Sequence, residues 1–550
     1  MRPIHTSSND SASSVPLVTE PLAVVVPKWL TVRVGFAASW SLALALVVVE
    51  TLAAVSDGSL RESFFISDHL YIAALVEDLW HWHGDSSDWR FTPAPYFFPD
   101  VPLYAVFRCC GLSLEWAQYL GCLAHWMLVT WTARALIRAV VPGARAASNL
   151  VGLFSVVWLI AYLRNWLPLV EPLLIISNHG GAAWAALAIL ALILKPREHR
   201  PSVWVGLAVG LAFCVGVSDP LFAASCGAAL LPMATLAAGL RIWRMDALRP
   251  SALACVACAG ASLAGARVTD LVHAQTSGLV NGPKPDLRAH ALRQLADDLL
   301  GPAWLVGSLL GLACLLAIGM LVQFRSRPHA ARLRWFGLWQ LASSAATLGA
   351  LAWAGNYDGV GSLRYVMVPF TTALVLPCAW LVEMLQARSL QFQRRTGVVC
   401  AASATAWLFA DFIADGAHLV HGQYQSRMRA SAACVQRIAQ ASHVDVVLTE
   451  YWKAKPLMLF SDGQVRALQM SPGLGNPYWW INSRGWYRGP HNFGVIVSND
   501  LFPEEITERY GPPERVERCD DLELFTYAGK GRARLQHAMQ KRFARFTREH

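Results

Sequence analysis

Charge is what this 550-residue chain has least of: Asp, Glu, Lys and Arg make up 15% of it, against 55% hydrophobic residues. With a mean hydropathy of +0.37, that balance excludes an ordinary soluble globular protein. No Cys/His zinc spacing occurs among the 12 cysteines, most of which, the Cys255-Val-Ala-Cys258 pair included, fall inside apolar runs as small buried side chains. Residues 1-28 lack the short apolar core and small-residue cleavage site of a secretory signal. They read as a disordered cytoplasmic segment, and the first span as an uncleaved anchor. The net charge of +9 does not point to nucleic acid, because the positive residues sort by side of a membrane.

What is present is a series of apolar runs long enough to cross a hydrocarbon layer of ~30 Å. Each must satisfy its own backbone hydrogen bonds in lipid, so each reads as a helix. With the N-terminus in the cytoplasm, about eleven transmembrane helices fall near 34-55, 113-137, 147-163, 180-195, 202-217, 220-240, 250-266, 303-324, 335-354, 365-386 and 396-415. The loops this puts in the cytoplasm carry Arg134, Arg138 and Arg145, then Lys195, Arg197 and Arg200, then Arg241, Arg244 and Arg249. The last two carry Arg325, Arg327, Arg332 and Arg334, then Arg388, Arg394 and Arg395, whereas the short opposite loops carry few, as the positive-inside rule requires. The expected protein is α-helical and polytopic in the bacterial inner membrane, with a membrane domain over 29-415, a first outer loop over 56-112, and 416-550 in the periplasm.

That last part reads as a small soluble α/β domain. "VDVVLTEYW", "FGVIVSND" and "DLELFTYA" are strand-like, "PEEITERYG" is a short helix stopped by Gly, and the final "KGRARLQHAMQKRFARFTREH" is a basic helical tail, solvated or laid on anionic headgroups. Cys434 and Cys519 lie in this polar part and can pair if it is exported.

The densest chemistry stands just after the first apolar run. "SDHLYIAALVEDLWHWHGDSSDWRFTPAPYFFPD", from Ser67 to Asp100, holds six carboxylates and three histidines. Its beginning has the spacing of an amphipathic helix on the outer leaflet, and Asp68 is placed to cap it. His69, His81 and His83 with Asp85 suggest a metal cluster, but an H-x-H pair fixes no geometry. The tryptophans, Trp80, Trp82, Trp89, Trp479, Trp480 and Trp486, suit interfacial anchoring, stacking on sugars or isoprenoid, or a domain core.

The order of Asp68 and Tyr71, Glu77 and Asp78, Gly84 and Asp85, an aromatic and Pro-rich stretch, then Pro102, Leu103 and Tyr104 resembles the first outer loop of GT-C glycosyltransferases. It is most similar to lipid A aminoarabinose transferases and protein O-mannosyltransferases over about 67-116. Elsewhere the likeness is one of layout: many spans, an Arg-Tyr pair opening a late span, and an exported C-terminal domain. The resemblance implies a GT-C-like fold and transfer of a sugar from a polyprenyl-phosphate donor to a lipid, glycan or protein acceptor. It also implies Asp68 as the base, with Asp100 and Asp85 as further catalytic candidates. A carboxylate that takes the acceptor's proton contributes a factor of ~10²-10⁴.

The departing phosphate needs a cation, a hydrogen-bond donor or a divalent metal ion, the cofactor such a site admits. Arg364, beside Tyr365, can bind two phosphate oxygens with its fork or snorkel to headgroups. Arg164 and Arg90 are further cations near outer loops. "SNHGG" either brings His179 to the site or marks a helix start. Tyr71, Tyr104 and Tyr365 complete the substrate-binding candidates. The competing reading is a lipid or polysaccharide transporter or flippase, which calls for ionisable residues in mid-span and Gly/Pro-broken paired segments.

Overall fold

A computed structural model describes residues 44–53, 61–142, 175–195, 201–239, 249–275, 284–323, 331–355, 357–421, 424–497 and 499–549, with a few isolated positions elsewhere. Among these, four helices are long and apolar enough to cross a membrane: Leu114–Val140, Ala252–His273, Trp304–Gln323 and Val360–Gln386, the last opening as a 3-10 turn. Leu44–Ala53, Gly180–Leu194, Ser202–Ser218 and Pro220–Thr235 are apolar but shorter.

The eleven expected spans are therefore only partly matched. The segment near 147-163 falls largely outside the described residues, and of that near 34-55 the described part is the short helix Leu44–Ala53. The expected span 220-240 is interrupted: Asp219 caps a short helix at Pro220–Phe222, a π-helical turn follows at Ala223–Gly227, and the helix Ala228–Gly239 contains Pro232. Ala331–Ala354 has 24 residues, but Arg332, Arg334 and Gln340 dilute it.

Small residues bring the membrane-type helices close together. Helix Pro201–Ser218 packs along Arg249–Gln275, where a Cβ on Gly216 would sit 2.4 Å from the Ser262 carbonyl oxygen and one on Gly265 2.4 Å from that of Phe213. Only glycine permits that approach, the common device of helix pairs in lipid.

The first loop folds into two helices, Tyr71–Trp80 and Asp100–Cys109. The first does not lie on a leaflet as its spacing suggests. Residues Tyr71 to Asp78 are all buried, because the helix is wedged between Asp100–Cys109 and a helix of the C-terminal domain, Tyr451–Phe460. Nor does Asp68 cap it: the N-cap position is Leu70, without a side-chain bond.

The C-terminal domain is a five-stranded sheet, β1 (Val446–Thr449), β2 (Arg466–Gln469), β3 (Phe493–Val497), β4 (Arg515–Cys519) and β5 (Leu522–Thr526), in the order β2-β1-β3-β5-β4. The first three strands run parallel, and β5 and β4 are antiparallel to their neighbours. β1 ends early because Glu450 accepts from the Trp452 N–H and starts helix Tyr451–Phe460. Helix Arg427–Ala441 is joined to β4 by a disulfide between Cys434 and Cys519, Cα atoms 5.7 Å apart. The basic tail is not a free one: helix Gly529–Glu549 buries Leu535, Met539, Phe543 and Phe546, and it packs against β3.

Candidate functional site

Much of the charge in the first loop turns out to fasten it to the C-terminal domain. Asp78 is buried and accepts from the indole N–H groups of Trp89 and Trp486 at 2.6 and 2.7 Å. Burial raises its pKa, and those two bonds only partly offset this. Gly84 folds over it so closely that a Cβ there would meet Asp78 Oδ2 at 2.1 Å. Asp88, also buried, is gripped by the guanidinium groups of Arg484 at 2.9 Å and Arg488 at 2.7 Å. The Arg90 guanidinium donates to the Trp479 carbonyl at 2.9 Å and its backbone N–H to Asn482 at 3.0 Å. Arg429 forks onto Glu115 at 2.7 and 2.8 Å.

Beside this interface lies a cavity of about 600 Å³. Asp68, His179, Arg364 and Tyr365, from three separated stretches of sequence, all line it. Tyr96, Asp219, Ser177 and Asn178 line it as well, with Leu351 and Ala354 from helix Ala331–Ala354 and Trp480 and Ile481 from the C-terminal domain.

Each wall has a local cause. The Pro-rich stretch 92–98 cannot form helix, and it is tied to the end of helix Pro201–Ser218 by Tyr96 N–H on the Ser218 carbonyl and Phe98 N–H on Ser218 Oγ, both at 2.9 Å. His179 occupies the N-cap of helix Gly180–Leu194, and at Gly181 a Cβ would touch Pro99 Cδ at 2.6 Å, so the Gly pair lets the two segments meet. The "SNHGG" stretch is thus both a helix start and a cavity wall. Arg364 stands on the 3-10 turn Val360–Val366, its Nη2 3.5 Å from the Tyr365 hydroxyl.

Asp68 accepts a short hydrogen bond from the Tyr451 hydroxyl, and Ser67 Oγ donates to the Tyr451 carbonyl at 2.5 Å. Burial, then the Asp68 charge, pushes the Tyr451 phenol far above its usual range, so it remains a donor. Behind it Lys455 is fully buried, its Nζ 4.4 Å from the centre of the Tyr451 ring and 3.3 Å from Gln469 Oε1. Burial lowers its pKa to about 7, against the pull of Asp68 and Glu450. Arg364 also interacts electrostatically with Asp68. The cavity therefore offers a carboxylate with a fixed donor, a guanidinium and an imidazole. Such a set can accept a proton at one point and bind an anion at another.

The remaining candidates stand elsewhere. Asp85 is exposed and caps the turn at Ser87 N–H, 2.8 Å away, which lowers its pKa. Asp100 is buried, 2.9 Å from His125 Nε2, and accepts from the Ser177 N–H at 3.2 Å, so it supports the His179 turn from beneath. Tyr71 is fully buried against the Trp89 ring, 6.1 Å between centroids. The Tyr104 hydroxyl donates to Glu77 at 3.3 Å, and Arg90 belongs to the domain interface. Arg164 lies outside the described residues.

The proposed histidine cluster is not gathered: His69 Nδ1 faces the Ser63 carbonyl at 2.5 Å, and His81 Nδ1 faces Glu77 Oε2 at 2.6 Å. Among the described residues no group of three or more His, Cys, Asp or Glu side chains is arranged to hold a metal. Sequence reasoning missed Tyr96, Asp219, Tyr451 and Lys455. The Asp-Pro pair at Asp219 reads only as a cap, and Tyr451 lies 383 residues from Asp68. No protein-family profile matches this chain, and no curated protein matches it either.

Proposed function

We infer that the protein is a GT-C-like membrane glycosyltransferase, moving a sugar from a polyprenyl-phosphate donor to a lipid, glycan or protein acceptor at the outer face of the bacterial inner membrane. The observation that carries this is the convergence of Asp68, His179, Arg364 and Tyr365 on one cavity bounded by membrane-type helices on one side and the C-terminal domain on the other. Transfer breaks the bond from the anomeric carbon to the phosphate oxygen and forms one to the acceptor oxygen. Asp68 takes the acceptor's proton as that bond forms, and Arg364 stabilises the phosphate as it departs. The eleven-span topology, with a cytoplasmic N-terminus and a periplasmic C-terminal domain, belongs to the same reading. The Cys434–Cys519 disulfide supports the export of that domain, since such bonds persist in oxidising compartments.

The test compares the envelope glycans and lipids of a strain lacking the gene with the same strain complemented by wild type or Asp68→Asn. The expected result is a product missing from the deletion strain, restored by wild type, and reduced at least a hundredfold with the variant. Full restoration by the variant would remove Asp68 as the base. Transport activity that survives the substitution would favour the transporter reading instead.

A further inference from the structure

Asp219 and Tyr96 are among the cavity side chains that have no part in the reaction as just described. His179 and Asp219 are each 3% exposed, and His179 Nδ1 lies 2.6 Å from Asp219 Oδ2. An ionised carboxylate only accepts, so Nδ1 carries a hydrogen and donates it. The other Asp219 oxygen accepts from the Leu221 N–H at 3.1 Å, which keeps the carboxylate from swinging away. The second imidazole nitrogen, Nε2, stands 3.3 Å from the Tyr96 hydroxyl.

The Tyr96 and Tyr365 rings meet the imidazole edge to face at 5.4 and 5.3 Å, holding its plane. Burial, with Asp219 adding to it, keeps the Tyr96 phenol well above its usual pKa and hence neutral. With Nε2 bare, Tyr96 O–H donates to it. With Nε2 protonated and no other acceptor in the cavity, the same oxygen accepts, and an arriving anion takes its place. Among the described residues, the titratable and charged groups around His179 are Asp219, Tyr96 and Tyr365 in contact, with Asp68, Arg364, Lys284 and Asp358 elsewhere on the cavity wall.

Resting on the lipid-phosphosugar reading above, we propose that Asp219 and His179 form a proton-coupled phosphate-binding pair: the arriving lipid phosphate brings a second proton onto His179, whose Nε2–H then donates to a phosphate oxygen beside Arg364. The hydrogen-bond inventory requires the proton. A phosphate oxygen that carries no hydrogen can only accept, Nδ1–H is already committed to Asp219, and a donating Nε2 therefore makes the ring an imidazolium. That cation stands between two anions, a geometry in which each charge-assisted bond is about twice as strong as a neutral one. The proton comes from solvent, no covalent bond to carbon or phosphorus changes, and Asp219 stays ionised as the fixed counter-ion. In the transfer step His179 acts on the leaving side of the donor, opposite in sense to Asp68.

The test uses the full-length protein in detergent micelles, titrated calorimetrically near pH 7.5 in two buffers of different ionisation enthalpy. Farnesyl phosphate is the probe, with farnesol and inorganic phosphate as controls. Wild type is expected to prefer farnesyl phosphate over both controls and to take up about one proton more on binding than H179N does. H179N and D219N are each expected to weaken farnesyl phosphate binding about tenfold while leaving farnesol binding unchanged. D219N preserves size and an acceptor for Nδ1–H, so it separates lost charge from lost folding, and circular dichroism checks the helix content of both variants. If wild type and both variants bind farnesyl phosphate with equal affinity and equal proton uptake, the pair has no such role and the transferase reading stands. If wild type binds farnesyl phosphate no better than farnesol, the lipid-phosphate reading itself fails. Inorganic phosphate binding as tightly as farnesyl phosphate would assign the site to free phosphate and overturn the lipid part of the proposal.

Discussion

Tyr451 of the C-terminal domain donates its hydroxyl to Asp68 of the first loop, across 383 residues of sequence. The bond fixes a carboxylate of the cavity from the C-terminal domain. Both residues reach it through short-range structure: Tyr451 opens a helix capped by Glu450, and Asp68 stands three positions before the start of helix Tyr71–Trp80.

Replacing Tyr451 with Phe removes that one bond and keeps the ring packed. The expected effect is a fall of about tenfold in product formation with a stability loss of about 1.5–3 kcal/mol, the usual net worth of a hydrogen bond to a charged group. Product level in envelope extracts and the melting temperature of the purified protein check the two parts. A variant that melts like wild type and works like wild type would leave Tyr451 without influence on the site.

Lys455 sets a pH dependence of the same sense as acid unfolding, but over a higher pH range. Its folded pKa is lowered to about 7, below the 10.5 of an unburied lysine, so between those values the unfolded chain binds the extra proton. Stability from this group therefore rises as pH climbs from about 7 toward 10, and its destabilising effect is complete below pH 7. Lys455→Met is expected to flatten the rise. Melting temperatures of both proteins at pH 7, 8 and 9 measure it, and parallel curves would refute the assignment.

The disulfide closes a long stretch, Cys434 to Cys519 being 85 residues apart. Cys434→Ser is expected to destabilise the C-terminal domain by about 2–4 kcal/mol, and reductant should do the same to wild type but not to the variant. Thermal unfolding with and without reductant reads both, and alkylation of wild type taken directly from cells shows whether the bond forms there.

Part of this architecture was legible in the chain. The apolar runs, the α/β character of 416-550 and the strands β1, β3 and β5 follow from periodicity and from β-branched residues. β4 escaped notice because it is an exposed edge, "RVERC", whose charged side chains hide the alternation, and β2 because four residues, "RALQ", carry too little pattern. The wrong inference about helix Tyr71–Trp80 has a related cause. Its polar residues Glu77 and Asp78 look solvent-directed, but Arg108 and two indole N–H groups take them inside. The Asp68, His179 and Arg364 stretches could be singled out individually because each stands at the end of an apolar run. Asp219 could not, since a residue before proline already has a complete local explanation, and no local pattern announces a partner as remote as Tyr451.

The grip of Arg484 and Arg488 on Asp88 has an evolutionary corollary. Neutralising Asp88 alone leaves two guanidinium groups facing a contact from which their counter-charge has gone, and altering one arginine alone leaves half a clamp. Drift at these three positions should be concerted, so any descendant with a changed loop at 85–90 is expected to carry a matching change at 484–488. A graft of the terminal domain from a distant homologue would need its own loop brought along.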